Sequence, residues 1–180
     1  MGNRLSKIVT RTGDKGTTGL STGDRVAKFD PRVKAMGETD ELNSQIGVLL
    51  TQKLPADIRA TLEREQHTLF NLGGELSMPG AVFLKVEDVE RLEAAGEALN
   101  DLLPPLKEFV LPGGTPQAAS CHVARAVARR VERQLWELNA AEPLNEELLR
   151  YANRMSDYLF IAARTLARMD GGKEPTWVKC

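Results

Sequence analysis

Residues 143–169 read PLNEELLRYANRMSDYLFIAARTLARM. Leu148, Ala152, Met155, Leu159, Ala162, Leu166 and Met169 fall alternately four and three residues apart, the spacing that lines one face of an α-helix. Pro143 opens the segment, where its fixed φ suits a first turn. Gly171-Gly172 closes it and leaves a short tail carrying Trp177. A segment this long with one apolar stripe must be buried against other helices.

The same pattern repeats upstream. Thr115-Pro116 opens a helix to about Leu138, after the apolar link Phe109-Val110-Leu111 and a Pro112-Gly113-Gly114 turn. A further helix spans about Val86–Leu103, with Val86, Val89, Leu92, Leu99 and Leu102 expected inward and Pro104-Pro105 as the stop. Ile58, Leu62, Leu69, Leu72 and Leu76 stripe another from about Ala56 to Leu76, ended at Met78-Pro79-Gly80. Asp30-Pro31 caps the first, which carries Val33, Met36, Leu42, Ile46 and Leu49, with Gly37 and Gly47 as weak points. Residues 1–29 are glycine- and threonine-rich and read as loop, with an extended piece at Lys7–Thr10. The expected fold is all-α: a five-helix antiparallel bundle with an extended N-terminal loop. One domain, 1–180, divides into a loop (1–29), the bundle (30–170) and a tail (171–180).

Composition narrows the function. Of 180 residues, 42% are hydrophobic and 27% charged, and the net charge is −1, so any anion binding must be local. No apolar run reaches membrane-spanning length and the N-terminus lacks a signal-peptide core. Two cysteines, Cys121 and Cys180, lie far apart, which fits a reducing cytoplasm and offers neither a disulfide scaffold nor a zinc site.

The most unusual segment is TRTGDKGTTG at 10–19. Gly13, Gly16 and Gly19 allow tight turns that bring N–H groups to an anion. Thr10, Thr12, Thr17 and Thr18 carry hydroxyls, and Arg11 and Lys15 positive charge. Asp14 suits either a hydrated Mg²⁺ or a loop tether. The segment is neither a Walker A loop nor a dinucleotide fingerprint. A mobile polar arm has the same composition, and the residues alone leave both readings open.

On the fourth helix Arg125, Arg129 and Arg133 recur every four residues beside Glu132 and span about 12 Å, comparable to an extended triphosphate. Guanidinium forks suit phosphate oxygens. Glu132 cannot neutralise these three and Arg130 together, so partners from outside the helix are expected. Asn153 and Asp157, one turn apart on the fifth helix, suit a nucleotide contact and an arginine-orienting carboxylate, with Arg164 roughly on their side. A polar patch between packed helices is the plain alternative. Asp40 and Glu41 interrupt the apolar stripe of the first helix and mark either a site, a subunit contact or one exposed turn. His67 and His122 stand in no Glu-x-x-His pair or nucleophile arrangement and read as structural, and no side chains show metal-ligand spacing.

TRTGDKG at 10–16, GETDELNSQIG at 37–47, FVLPGGT at 109–115 with ARAVARRVER at 124–133, and NRMSDYLF at 153–160 stand in one order along nearly the whole chain. In these segments the sequence resembles the PduO-type ATP:cob(I)alamin adenosyltransferases. The resemblance implies a five-helix bundle assembled as a homotrimer, with ATP and corrinoid at the subunit interfaces. It implies that Thr10, Thr12, Gly13, Lys15 and Thr18 form the ATP loop, reached by Lys28. Arg129, Glu132 and Arg133 would meet ATP from the fourth helix and Asn153 from the fifth. Arg125 would pair across the interface with Asp40, and Phe109 would close the lower face of the corrin. Val9 stands where a tyrosine is common, and residues 17–19 vary in the family.

The implied reaction is attack of cob(I)alamin on the 5′ carbon of ATP, giving adenosylcobalamin and triphosphate, with Arg129, Arg133, Lys15 and Mg²⁺ stabilising the leaving group. A corrinoid reductase and an adenosylcobalamin-dependent enzyme are the implied partners. A nucleotide or corrinoid carrier without turnover is the alternative class, told apart by whether product forms. Nucleic acid is a poor fit, since no aromatic residues flank the arginines for stacking.

Overall fold

The computed structural model describes residues 8–179. Five helices account for most of it: α1 (Pro31–Leu50), α2 (Ala56–Ser77), α3 (Val86–Asn100), α4 (Pro116–Ala141) and α5 (Glu146–Ala167). They pack in the order α2–α1–α4–α5–α3, with α3 touching back on α2. The expected stripes fill one core, in which Leu42, Ile46, Leu62, Leu72, Leu135, Met155 and Leu159 are fully shielded from solvent. Small residues on α4 and α5, among them Ala124, Ala128, Ala162 and Ala163, let these two central helices approach closely.

Local chemistry sets the helix starts. Asp30 accepts from the Arg32 amide at 2.8 Å ahead of Pro31. Thr115 accepts from the Ala118 amide at 3.1 Å, and its hydroxyl donates to the Leu166 carbonyl at 3.0 Å. That second bond ties the beginning of α4 to the end of α5. Gly114 makes the approach possible: its φ is +96°, and a Cβ there would sit 3.1 Å from that of Ala167.

Three expectations change. α5 starts at Glu146, capped by Asn145, rather than at Pro143. α3 stops at Asn100, so Leu102 is 84% exposed, and Val86 at its first turn is also exposed. The residue before a proline disfavours the α conformation, which ends the helix ahead of Pro104. Finally, residues 8–10 form no strand, and Lys7 lies outside the described residues. The extended structure lies further on, in a small antiparallel hairpin of β1 (Thr17–Gly19) and β2 (Arg25–Ala27) that pairs Thr18 with Val26. Ser21, in the hairpin turn, docks on the end of α2 through its amide to the Ser77 carbonyl at 3.0 Å and a 2.8 Å hydroxyl pair with Ser77.

Candidate functional site

The glycine-threonine loop is a stitched structure. The Asp14 amide donates to the Arg11 carbonyl at 3.3 Å, that of Gly16 to Gly13 at 3.2 Å, and that of Lys28 to Gly16 at 2.9 Å. Arg25, which the sequence reading passed over, donates to the Thr12 carbonyl and the Thr17 hydroxyl, both at 2.8 Å. Arg25 faces Gly19 in the β ladder, and only knowledge of the hairpin would have drawn attention to it. Lys28 does reach the loop: a Cβ on Gly13 would lie 3.1 Å from its ammonium nitrogen. The Thr10 and Thr12 hydroxyls pair at 2.9 Å. Arg11, Asp14 and Lys15 remain exposed on this frame. Thr18 sits in β1, and Gly19 borders a cleft of about 350 Å³ with Ser21, Met36, Asp40 and Phe70.

The four arginines of α4 separate into distinct environments. Arg129 and Arg133 are exposed, and neither forms an ion pair among the described residues. The Arg133 guanidinium instead donates to the Arg129 carbonyl at 3.2 Å. Arg130 finds its counter-charges inside the chain, in Glu38 and Glu41 of α1. The hydrogen bonds it donates to Glu41 and Glu38 raise its pKa further. It is therefore a strut between α1 and α4 rather than a free phosphate ligand. Arg125 is half-buried, with its guanidinium carbon 5.8 Å from the Phe160 ring centroid. Burial first, and then Arg129, lower its pKa. Its Nε has no partner among the described residues, and Asp40 stands exposed on α1 unpaired with it. His122 is 3% exposed and lies 6.2 Å from Phe160. Burial and Arg125 lower its pKa, so it is a neutral packing residue.

Asn153 and Glu132 meet each other, the amide nitrogen donating to the carboxylate at 3.0 Å. They border a cleft of about 610 Å³ with Trp136, Leu144, Leu149, Arg150 and Arg154. Trp136, which the sequence reading did not single out, lines this cleft; it lies one turn beyond Arg133 and is half exposed, an unusual place for an indole. Asp157 turns the other way, into a groove against α3 with Glu93 and Glu97, 3.9 Å from Arg154. Arg164 also leaves the site: it is buried and donates to Glu174 at 2.6 Å.

Phe109 is 79% exposed. It meets Trp177 edge-on at 6.4 Å and shares a cleft with Leu106, Val110, Phe160 and Trp177. Its carbonyl accepts from the Trp177 amide at 2.8 Å, beside a Val110–Thr176 bridge. The C-terminal tail thus straps the segment that carries Phe109. No group of three His, Cys, Asp or Glu side chains fit to hold a metal occurs among the described residues, and none of their helices is long and apolar enough to cross a membrane.

The structure combines a helical bundle, unpaired guanidiniums on one helix, a structured glycine loop and an exposed aromatic pair, a set of groups suited to a polyanion and an apolar partner. The sequence profile of the cobalamin adenosyltransferase family matches residues 8–166. The chain is 56% identical over 178 residues to a cobalamin adenosyltransferase of Cupriavidus metallidurans, covering 98% of this chain and 97% of that one. It is 44% identical to a corrinoid adenosyltransferase of Mycobacterium tuberculosis, covering 95% and 93%. A solved structure of a variant PduO-type ATP:corrinoid adenosyltransferase from Lactobacillus reuteri, complexed with cobalamin and ATP, superposes with a TM-score of 0.90 at 35% identity, covering 96% of this chain and all of that one. The chain belongs to the cobalamin adenosyltransferase family and is of the PduO type, an ATP:corrinoid adenosyltransferase that moves the adenosyl group of ATP to a corrinoid.

Proposed function

We propose that this chain, acting as one domain over 1–180, performs the transfer at sites shared between neighbouring subunits of a cytoplasmic homotrimer. Thr10, Arg11, Thr12, Gly13, Asp14, Lys15, Gly16, Thr18, Gly19 and Lys28 of one subunit hold the triphosphate. Arg129 and Arg133 of the next face it, with Glu132 and Asn153 on the nucleoside. Arg130 and Asp157 support this arrangement from behind rather than touching phosphate. Arg125 pairs with Asp40 of the neighbour, and Phe109 covers the lower face of the corrin.

One observation carries the reading. Of the four α4 arginines, the chain neutralises Arg130 with its own carboxylates and leaves Arg129 and Arg133 exposed and without an ion-pair partner among the described residues. Two guanidiniums left free side by side are charge held for an anion outside the chain.

The chemistry asks little of the protein beyond placement and charge. The electron pair of cob(I)alamin forms a bond to the 5′ carbon of ATP, and the C5′–O bond breaks with its pair leaving on triphosphate. Arg129, Arg133 and Lys15 stabilise that charge, and no general base takes part. Asp14 is an exposed carboxylate of the loop, which suits a Mg²⁺ ion arriving on the triphosphate oxygens and adding to the same charge screening. Phe109 with Trp177 excludes water and a lower ligand from cobalt, which makes the Co(I) state accessible. A corrinoid reductase supplies the electron, and an adenosylcobalamin-dependent enzyme takes the product.

The test is spectroscopic. Adenosylcobalamin and free triphosphate form from ATP and reduced cobalamin with the native protein, and Arg129→Ala lowers the rate by ~100-fold or more with an unchanged circular dichroism spectrum. Near-native turnover in that variant would remove Arg129 from the site.

A further inference from the structure

Asn153 is held from both ends. The Arg154 Nη1 donates to its carbonyl Oδ1 at 2.7 Å, and its own Nδ2 donates to Glu132 Oε1 at 3.0 Å. Arg154 is itself anchored from α3, where its Nε donates to Glu93 Oε1 at 2.5 Å. The chain of bonds therefore crosses three helices, from Glu93 on α3 through α5 to Glu132 on α4. Glu132, Asn153 and Arg154 border the same 610 Å³ cleft.

The direction of these bonds matters. A primary amide turned by 180° exchanges its donor and acceptor ends. A guanidinium can only donate, and a carboxylate can only accept. Arg154 and Glu132 thus each reject the turned amide, and together they hold Asn153 in one orientation. What remains for a ligand is the second amide hydrogen of Asn153 beside Glu132 Oε2, which accepts no hydrogen bond among the described residues. A donor next to an acceptor complements the nucleoside end of ATP, where ring nitrogens and ribose hydroxyls offer the same alternation.

We propose that Arg154, anchored by Glu93, is a positioning residue of the ATP site: it fixes the Asn153 amide and, through it, the Glu132 carboxylate, so that the pair presents a preorganised donor and acceptor to the nucleoside. This rests on the reading that Asn153 and Glu132 touch ATP. Arg154 itself contacts no reacting atom, so its loss weakens ATP binding and spares the corrinoid.

Steady-state kinetics on Asn153→Ala, Arg154→Met, the double variant and Glu93→Gln test this. Asn153→Ala raises the KM for ATP, and Arg154→Met raises it about tenfold or less, with the corrinoid KM unchanged. The double variant is no worse than Asn153→Ala alone, because Arg154 acts through that amide. Glu93→Gln gives a smaller rise in the same direction and serves if Arg154→Met does not fold. An Arg154→Met KM at the native value, or losses that multiply in the double variant, overturns the positioning role while the ATP site stands. An unchanged KM in Asn153→Ala removes the ATP contact itself, and the proposal falls with it.

Discussion

Adjacent residues on a helix point about 100° apart, and that rotation separates Arg129 from Arg130. Arg130 faces α1 and meets Glu38 and Glu41, whereas Arg129 stays on the exposed side with Arg133. The four-residue spacing of Arg125, Arg129 and Arg133 was readable in the chain. The partners of Arg130 were not, because they sit about ninety residues away in α1. Phe109 poses the complementary case. A phenylalanine so exposed buries little surface within its own chain, so the stability of one chain gives little reason for it to stand there. On the proposed reading its role belongs to the corrin face. Phe109→Ala should therefore slow adenosylation started from cob(II)alamin more than that started from pre-reduced cob(I)alamin, since removing the cover readmits a lower ligand and makes reduction harder. Parallel assays from the two oxidation states check this, and equal losses from both would contradict it.

Elements long enough to show a period were the legible ones. Twenty-residue helices repeat the apolar spacing five or six times, so their existence and faces are plain, and only their ends shift. The β hairpin has three residues per strand, too few for alternation to register, and its partner spacing is invisible in a glycine-rich run. The tail is a similar case. The Glu174 side chain is only 6% exposed and accepts from Arg164 at 2.6 Å and from Arg168 at 2.7 Å. Burial acts to raise its pKa, but hydrogen bonds from the two guanidiniums outweigh that and leave it below the ordinary carboxylate range. A depressed carboxylate contributes stability that is fully present above its unfolded pKa and lost as pH falls through the folded one. Glu174→Ala leaves Arg164 buried without its counter-charge, at a cost of about 3 kcal/mol near pH 7. Urea unfolding checks the size. The gap between native and variant proteins should close as pH drops below about 4.5, the ordinary carboxylate value. A gap that persists into stronger acid would show that the tail is held by something other than this ion triad.

The groups proposed for the reaction stand in separate places on a single chain. Gly19 and Asp40 border one cleft, Glu132 and Asn153 another, and Phe109 with Phe160 a third. Arg125 is partly desolvated with an unpartnered Nε, while Asp40 is exposed. Apolar Val48, Phe70 and Val123 also face outward. These loose ends are what a head-to-tail ring would join, since such an interface presents different surfaces on its two sides. The consequence can be tested by mixing defects. Lys15→Ala damages the loop, and Arg129→Ala damages the facing helix; each alone should be nearly inactive. In the proposed trimers, formed by coexpressing both, an interface that takes its loop from an Arg129→Ala subunit and its helix from a Lys15→Ala subunit has neither defect. Random assembly makes about a quarter of the interfaces of this kind, so activity should return to about that fraction of native. A site confined to one chain has no such escape: every subunit carries one lesion, and the mixture would be as inactive as its components. Measuring the mass of the mixed assembly alongside the rate ensures that a failure to recover reflects the location of the site and not a failure of the two variants to associate.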